Sequence, residues 1–405
     1  MVDTLDVIET LYGLKDQEQL EDWFSKTRRI YLGTYKRYDE LGDINSQSLS
    51  DWYSIPFPEE FHWSVCSSAG TYKTVFLLRL MTYFAKSNRY DLCCIEGKDN
   101  DSLLSRNMGK GSRLMFKEEP VKLNTYGICP SYIWENKHDQ TLQAQLKKYK
   151  IKGKFTLDIS SVRTPQEWQT LLGLTTAGVD VVKKYIDRMK KINLEKLRKQ
   201  IVRDPQAHLS TKNSLNLRLG RIIIDKIFNA KNYPLLNIGE YWKKKIIPII
   251  LLMRRDREYQ RLLIQKLLEN EWYYSEQHFS KKINIYDDCQ LYLDNIRDNC
   301  AVSKVLETIN FGRSFGFNSI FAVQNPNEFS DEIFDACTDH FIGYLKNPQD
   351  IDIFPSDVIE MIRQNWDFYD DENKPVKHVA YLHIPMNIKK SVRFFPAGPI
   401  CGYYW

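Results

Sequence analysis

The sequence predicts an α/β protein with a mainly parallel central sheet, and three observations carry that prediction. A short apolar run over 61–66 leads through Ser67-Ser68-Ala69-Gly70 into an amphipathic helix over 75–86 and a second apolar run over 90–95. Strand, small-residue turn, helix and strand in that order make a βαβ unit, whose strands pair in parallel. A buried-type strand over 246–252 then feeds a long helix over 257–272 and a strand over 283–286 that ends in Asp287-Asp288. Finally, a helix over 297–314 leads into a strand over 318–323, closed by Gln324-Asn325-Pro326. Continuous apolar runs alternating with helices belong to strands covered on both faces.

The remaining elements follow in order. Residues 1–58 read as amphipathic and helical up to the breaker Pro56-Phe57-Pro58, which predicts an N-terminal helical element ahead of a core over 59–405. That element is expected to dock on the core or on a neighbour. Residues 100–150 read as irregular and in places basic, and 155–159 alternates like a strand. Thr164-Pro165-Gln166-Glu167 is a helix start: Thr as N-cap, Pro at the first helical position, Glu closing a capping box. Helix over 166–202, a break at Asp204-Pro205 and helix over 214–229 together predict a mainly helical insertion at about 164–230. A helix over 328–337 and strands over 341–345, 379–384 and 391–395 complete the chain. No internal repeat and no low-complexity segment interrupts it.

Composition bounds the class. Of 405 residues 43% are hydrophobic and 27% charged, which belongs to a globular chain and argues against wholesale disorder. A net charge of +5 permits nucleic-acid binding without requiring it. The eight cysteines include no CxxC pair, and the seven histidines complete no zinc spacing, so a reducing compartment and no metal–thiolate site are expected. Residues 1–12 are acidic and lack the basic start of a signal peptide. The apolar run 246–253 is too short to span a bilayer. A cytoplasmic protein with no membrane partner is the expectation.

Three motifs carry chemistry. A phosphate-binding loop needs small residues, so that backbone N–H groups can curl around phosphate oxygens, then Lys for the β/γ-phosphates and Ser/Thr for Mg2+. Ser67, Ser68, Ala69, Gly70, Thr71, Tyr72, Lys73 and Thr74 supply that pattern ahead of a helix N-terminus, which favours anions. The match departs from the usual pattern twice: Ser67 and Tyr72 stand where glycines are expected, and Tyr72 carries a side chain where backbone freedom is wanted. In the second motif, Asp287 stands at a strand end, where Mg2+ is held, and Asp288 stands where an acid polarises the attacking water. A strand running into a polar turn has the same pattern. In the third, Gln324 closes a strand, and Arg313 stands in Phe311-Gly312-Arg313-Ser314-Phe315-Gly316. A turn amide and a helix C-terminal charge are the plainer readings of these two.

In the order of these motifs the chain resembles the HerA/FtsK superfamily of P-loop ATPases. There a helix ends in Arg and Gly, a strand follows, and a Gln closes it before a Pro-containing turn. Glu96-Gly97-Lys98 resembles the family's Asp-Pro-Lys strand end, and 392–396 resembles its last strand, so the likeness spans roughly 59–398. Residues 1–58 do not resemble the small β-barrel that many HerA proteins carry. The resemblance implies a RecA-like core of the additional-strand type, ATP and Mg2+ as ligands, and a homo-oligomeric ring, expected to be a hexamer, that moves double-stranded DNA through its pore. By the same resemblance Lys73 binds phosphate, Thr74 and Asp287 hold Mg2+, Asp288 positions water, Gln324 senses the γ-phosphate, and Arg313 acts on a neighbour's nucleotide.

Lys110 and Arg113, in a basic loop, are the DNA-contact candidates, with the basic helical insertion as a second and a solvated surface as the plainer reading of both. A nuclease, packaging or conjugation partner and a virus or plasmid origin fit that class. Two other readings stand beside it: a degenerate ring subunit that binds DNA or a protein without hydrolysis, and a nucleotide-binding switch without DNA. The aromatic end Tyr403-Tyr404-Trp405 suits insertion into a neighbour or packing on its own domain.

Overall fold

A computed structural model describes residues 29–34, 52–68, 73–97, 123–148, 151–174, 176–252, 257–296, 298–345, 347–354, 356–365, 381–386 and 392–396. The strands are β1 (Arg29–Thr34), β2 (Trp52–Pro56), β3 (His62–Cys66), β4 (Tyr90–Glu96), β5 (Thr125–Pro130) and β6 (Gly153–Phe155), followed by β7 (Ile247–Leu251), β8 (Lys281–Asp287), β9 (Phe317–Val323), β10 (Asp339–Ile342), β11 (Tyr381–Pro385) and β12 (Val392–Pro396). They form one twelve-stranded sheet in the order β2-β1-β12-β11-β10-β3-β9-β8-β4-β7-β5-β6. From β10 to β6 every pairing is parallel, while β11, β12, β1 and β2 extend the sheet antiparallel. The centre is apolar on both faces, as parallel strands require: every residue of β4, β7 and β9 is buried.

The longer helices are α1 (Lys73–Ser87), α2 (Pro165–Leu172), α3 (Thr176–Ile186), α4 (Leu194–Arg203), α5 (Leu209–Ile224), α6 (Arg257–Gln277) and α7 (Cys300–Phe311). α1 leads from β3 to β4, in one direction along the sheet. α6 and α7 lead from β7 to β8 and from β8 to β9, in the other. Right-handed crossovers therefore put α1 on one face and α6 with α7 on the opposite one. α1 packs against β4 and β1, with Phe76 stacked on Tyr381 at 5.1 Å between ring centroids. α2 packs on α6 and α7, and α5 packs on α4 and α2, so the helical insertion lies on the α6/α7 face.

The additional-strand order is present. β9 lies between β3, which leads to Lys73, and β8, which ends at Asp287. The capping box at Thr164 forms as expected: its side chain accepts from Glu167 N while the Glu167 carboxylate accepts from Thr164 N at 2.7 Å.

Four expectations need correction. Residues 29–34 and 52–56, read as helical, are strands, because Ile30, Leu32, Tyr53 and Ile55 alternate into the core at period two. Apart from Phe57 and Pro58, the rest of 1–58 lies outside the described residues. The stretch read as irregular holds β5 and helices at Ser131–Glu135 and Gln140–Lys148; β5 is short, and its pairing with β7 and β6 rather than any local pattern makes it a strand. The strand expected at 155–159 is shorter, since Asp158 caps a 3-10 turn and Thr156 and Leu157 make single bridges to Leu235 and Phe228. The helix expected at 214–229 runs instead over Leu209–Ile224, ending where Lys226 takes a positive φ of 52°.

Candidate functional site

Parallel register sets the geometry. Cys66 stands opposite Val323, and Ala322 opposite Asp287, so β3, β9 and β8 end together at the carboxyl edge of the sheet. Ser67, Gln324 and Asp288 follow those ends. Ser67 N donates to Val323 O at 3.0 Å and Ser68 N to Tyr344 O at 2.8 Å, so the entry to the loop is tied to both neighbouring strands. A Cβ at Gly343 would stand 2.4 Å from Ser67 Oγ, so a glycine is needed there. Ala69, Gly70, Thr71 and Tyr72 lie outside the described residues, as do Lys110, Arg113 and the aromatic end.

Lys73 opens α1 and turns inward. Its Nζ is 2.6 Å from Asp288 Oδ1 and 3.9 Å from Asp287 Oδ1, with Lys73 4% exposed and both carboxylates 1% exposed. Residues 215 apart in sequence thus form a buried ion pair at the phosphate-binding position. Asp288 reaches it through a left-handed backbone, φ 50° and ψ 42°, which Asp tolerates better than most side chains. That step turns the chain at the end of β8 and lets Asp288 N donate to Asp287 Oδ1 at 3.1 Å, holding the two carboxylates on one side. Two buried carboxylates thus stand beside one ammonium.

Thr74 is buried in the first turn of α1. Among the described residues no group of three or more His, Cys, Asp or Glu could hold a metal ion. The Thr74 hydroxyl and the Asp287 carboxylate are oxygen donors of the hard kind that would hold Mg2+. The thiols flanking the cluster are inert: burial pushes Cys289 well above the ordinary range, and pushes Cys66 up to about 12 against the opposing Ser64 hydrogen bond and Lys73 charge.

Gln324 follows β9 at the expected strand tip, and its backbone N–H donates to Gln290 Oε1 at 3.2 Å. Gln290 is the site residue that sequence reasoning missed. It is buried in the 3-10 turn Cys289–Leu291 directly after Asp288 and joins the Asp287-Asp288 turn to the tip that carries Gln324. An amide two residues beyond an Asp-Asp pair was the one available cue, and it is common in turns. Tyr292 closes the same turn, donating to Asp287 O at 3.3 Å.

Arg313 does not join this cluster. It lies in the 3-10 turn Gly312–Phe315 before β9, 78% exposed and ion-paired with Glu60. β9 is seven residues long, so at ~3.3 Å per residue Arg313 stands about 20 Å from Gln324, at the opposite edge of the sheet. It cannot reach this chain's own Lys73 region.

No protein-family model matches the sequence, and no curated protein matches it significantly. Solved structures do. VirB4 of Thermoanaerobacter pseudethanolicus superposes with a TM-score of 0.54 at 12% identity, covering 92% of this chain and 97% of that one. The genome packaging NTPase B204 of Sulfolobus turreted icosahedral virus 2, in complex with ATP-gammaS, gives a TM-score of 0.40 at 8% identity over 84% and 98% of the two chains. The bacterial conjugative coupling protein TrwBdeltaN70 gives 0.44 at 10% identity over 91% and 86%. Together with the strand order, the VirB4 superposition shows that the chain has the fold of the HerA/FtsK-type P-loop ATPases. Among the described residues no helix is long and apolar enough to cross a membrane.

Proposed function

We propose that the chain is an ATP-driven translocase of double-stranded DNA that works as a homo-oligomeric ring, with six subunits by its resemblance to that superfamily. The observation that carries the reading is the buried Lys73–Asp288–Asp287 cluster at the carboxyl edge, flanked by the strand that ends at Gln324. ATP enters as substrate, its phosphates against Lys73 and the N-terminus of α1. Lys73 then exchanges Asp288 for phosphate, and Asp288 becomes available to orient and polarise the attacking water. Thr74 and Asp287 would hold Mg2+, which would supply positive charge against the phosphates. The shorter reach of Asp288, compared with the glutamate usual at this place, calls for the left-handed turn that carries it forward.

Gln324 reads the γ-phosphate at the tip of β9. Arg313, outside its own site, supplies positive charge to a neighbour's nucleotide, which makes hydrolysis depend on assembly. DNA is gripped through its phosphates by basic loops, with Lys110 and Arg113 as candidates. Packaging, conjugation and end-processing systems all use a motor of this kind, and a virus or plasmid source and a cytoplasmic location suit it.

Steady-state ATP hydrolysis with and without duplex DNA, on the wild type and on Asp288→Asn, tests the reading. The asparagine retains an acceptor for Lys73, so the fold should hold while turnover falls about 10²–10⁴-fold, the range for loss of a general base. DNA-stimulated turnover that vanishes in the variant supports the motor. A second reading has one specific feature in its favour: Tyr72 stands where the phosphate loop needs a glycine, which suits a ring subunit that binds DNA or a partner without hydrolysis. A wild type that binds DNA without turning over ATP establishes that one. A switch without DNA would show no salt-dependent DNA affinity.

A further inference from the structure

The helical insertion carries an apolar stripe that no other described residue covers. On α5, Leu209, Leu217 and Ile224 are 69%, 76% and 76% exposed. At 100° per residue, spacings of eight and seven put all three within an arc of about 80° on the solvent side of the helix. The opposite side buries Leu215, Leu219 and Ile222 against the rest of the insertion. Val202 of α4, which packs beside α5, adds to the exposed apolar surface. The surroundings are strongly basic: residues 176–224 hold twelve Lys or Arg against four Asp or Glu, with Lys212 and Arg221 flanking the stripe on either side. Three large side chains in a row at such exposure mark a docking face.

The chain itself contains a segment of complementary chemistry. Residues 1–28, ahead of β1, carry seven Asp or Glu and three Lys or Arg, and the first fourteen carry Asp3, Asp6 and Glu9 with no basic residue. Leu5, Ile8 and Tyr12 follow one another at spacings of three and four, the pattern of one apolar helix face. An acidic segment with an apolar edge fits a basic groove with an apolar floor. A ring joins subunits through two different faces, head to tail, so the segment of one subunit can meet the insertion of the next.

We propose that the N-terminal segment of one subunit docks on α5 of its neighbour, through Leu209, Leu217 and Ile224 flanked by Lys212 and Arg221. The inference rests on the ring reading above. It adds a strap that joins subunits away from the nucleotide site, so association and hydrolysis become separable.

The test uses the full chain with a photoactivatable phenylalanine analogue at position 217, an exposed site where folding should be unaffected. Illumination should give a product of twice the subunit mass, and mass spectrometry should map the cross-link to residues 1–28. A cross-link to 1–28 inside one chain, or to any other segment, or to duplex DNA added as probe, overturns the inference. Sedimentation of Leu217→Glu, with its melting curve as folding control, should show association weakened tenfold or more. Asp3→Lys/Asp6→Lys should weaken it likewise, and Lys212→Glu/Arg221→Glu in the same chain should restore it. Oligomers of undiminished affinity in Leu217→Glu overturn the strap and leave the ring intact. A wild type that stays monomeric with ATP and DNA overturns both.

Discussion

Replacing Lys73 by Met should expose how the empty site is held together. In the nucleotide-free fold Lys73 Nζ is the cation beside Asp288 at 2.6 Å and Asp287 at 3.9 Å, all three almost fully buried. Removing one partner of a buried pair leaves uncompensated charge, which costs about 3–5 kcal/mol. The methionine keeps most of the side-chain volume, so cavity formation adds little. With an unfolding entropy of ~2.1 cal/mol/K per residue, that cost corresponds to a drop of roughly 4–6 °C in melting temperature. Urea denaturation and calorimetry, both without nucleotide, measure it. The double variant Lys73→Met/Asp288→Asn removes the second charge as well and should recover at least half of the loss. A Lys73→Met protein within about 0.5 kcal/mol of the wild type would refute the buried pair. A double variant less stable than the single one would show that Asp288 is held by something other than Lys73.

Three further outcomes are expected. Gln290→Ala removes the amide that accepts from Gln324 N; nucleotide affinity should change less than threefold while turnover falls about tenfold, and Gln290→Glu, which keeps the acceptor, should restore part of it. Arg313→Ala, at an exposed position, should leave melting and ATP binding unchanged and lower turnover of the assembled ring by a factor of about 10³, with unchanged turnover removing Arg313 from the mechanism. The third concerns Glu271 of α6, whose carboxylate accepts from Asn284 Nδ2 at 2.6 Å. Burial raises its pKa to about 7, against the opposing Asn284 hydrogen bond and Lys282 charge. A folded-state pKa above the unfolded 4.5 means that stability is fully present below pH 4.5 and lost as pH rises through 7. Glu271→Gln should therefore gain about 2–3 kcal/mol relative to the wild type on going from pH 5 to pH 8, by urea denaturation. An equal effect at both pH values would remove Glu271 as the titrating group.

Much of the core was legible because its signals are local. Continuous apolar runs mark β3, β4, β7, β8 and β9, and the Thr164 cap and Pro165 mark the start of α2, all within a few residues of the feature they announce. The positions of Lys73, Thr74, Asp287, Asp288 and Gln324 were legible because each stands at the end of such an element. β5 and the alternating strands β1 and β2 were not, since short segments become strands only through the partners they meet. Gln290 was invisible for the same reason: its role depends on a backbone N–H thirty-four residues away.

The sequence by itself determined the order of the core strands β3, β4, β7, β8 and β9 and of the helices between them, the phosphate-loop pattern with its Tyr72, and the acidic pair after β8, because periodicity, capping and turn chemistry act over a few residues. Only the tertiary structure decided the order of strands across the sheet. Inserting β9 between β3 and β8 sets Gln324 and Gln290 beside the Lys73–Asp288 pair and puts Arg313 at the far edge, ion-paired with Glu60. That choice is made by long-range burial and parallel register, which bring together residues hundreds of positions apart and which no local window records.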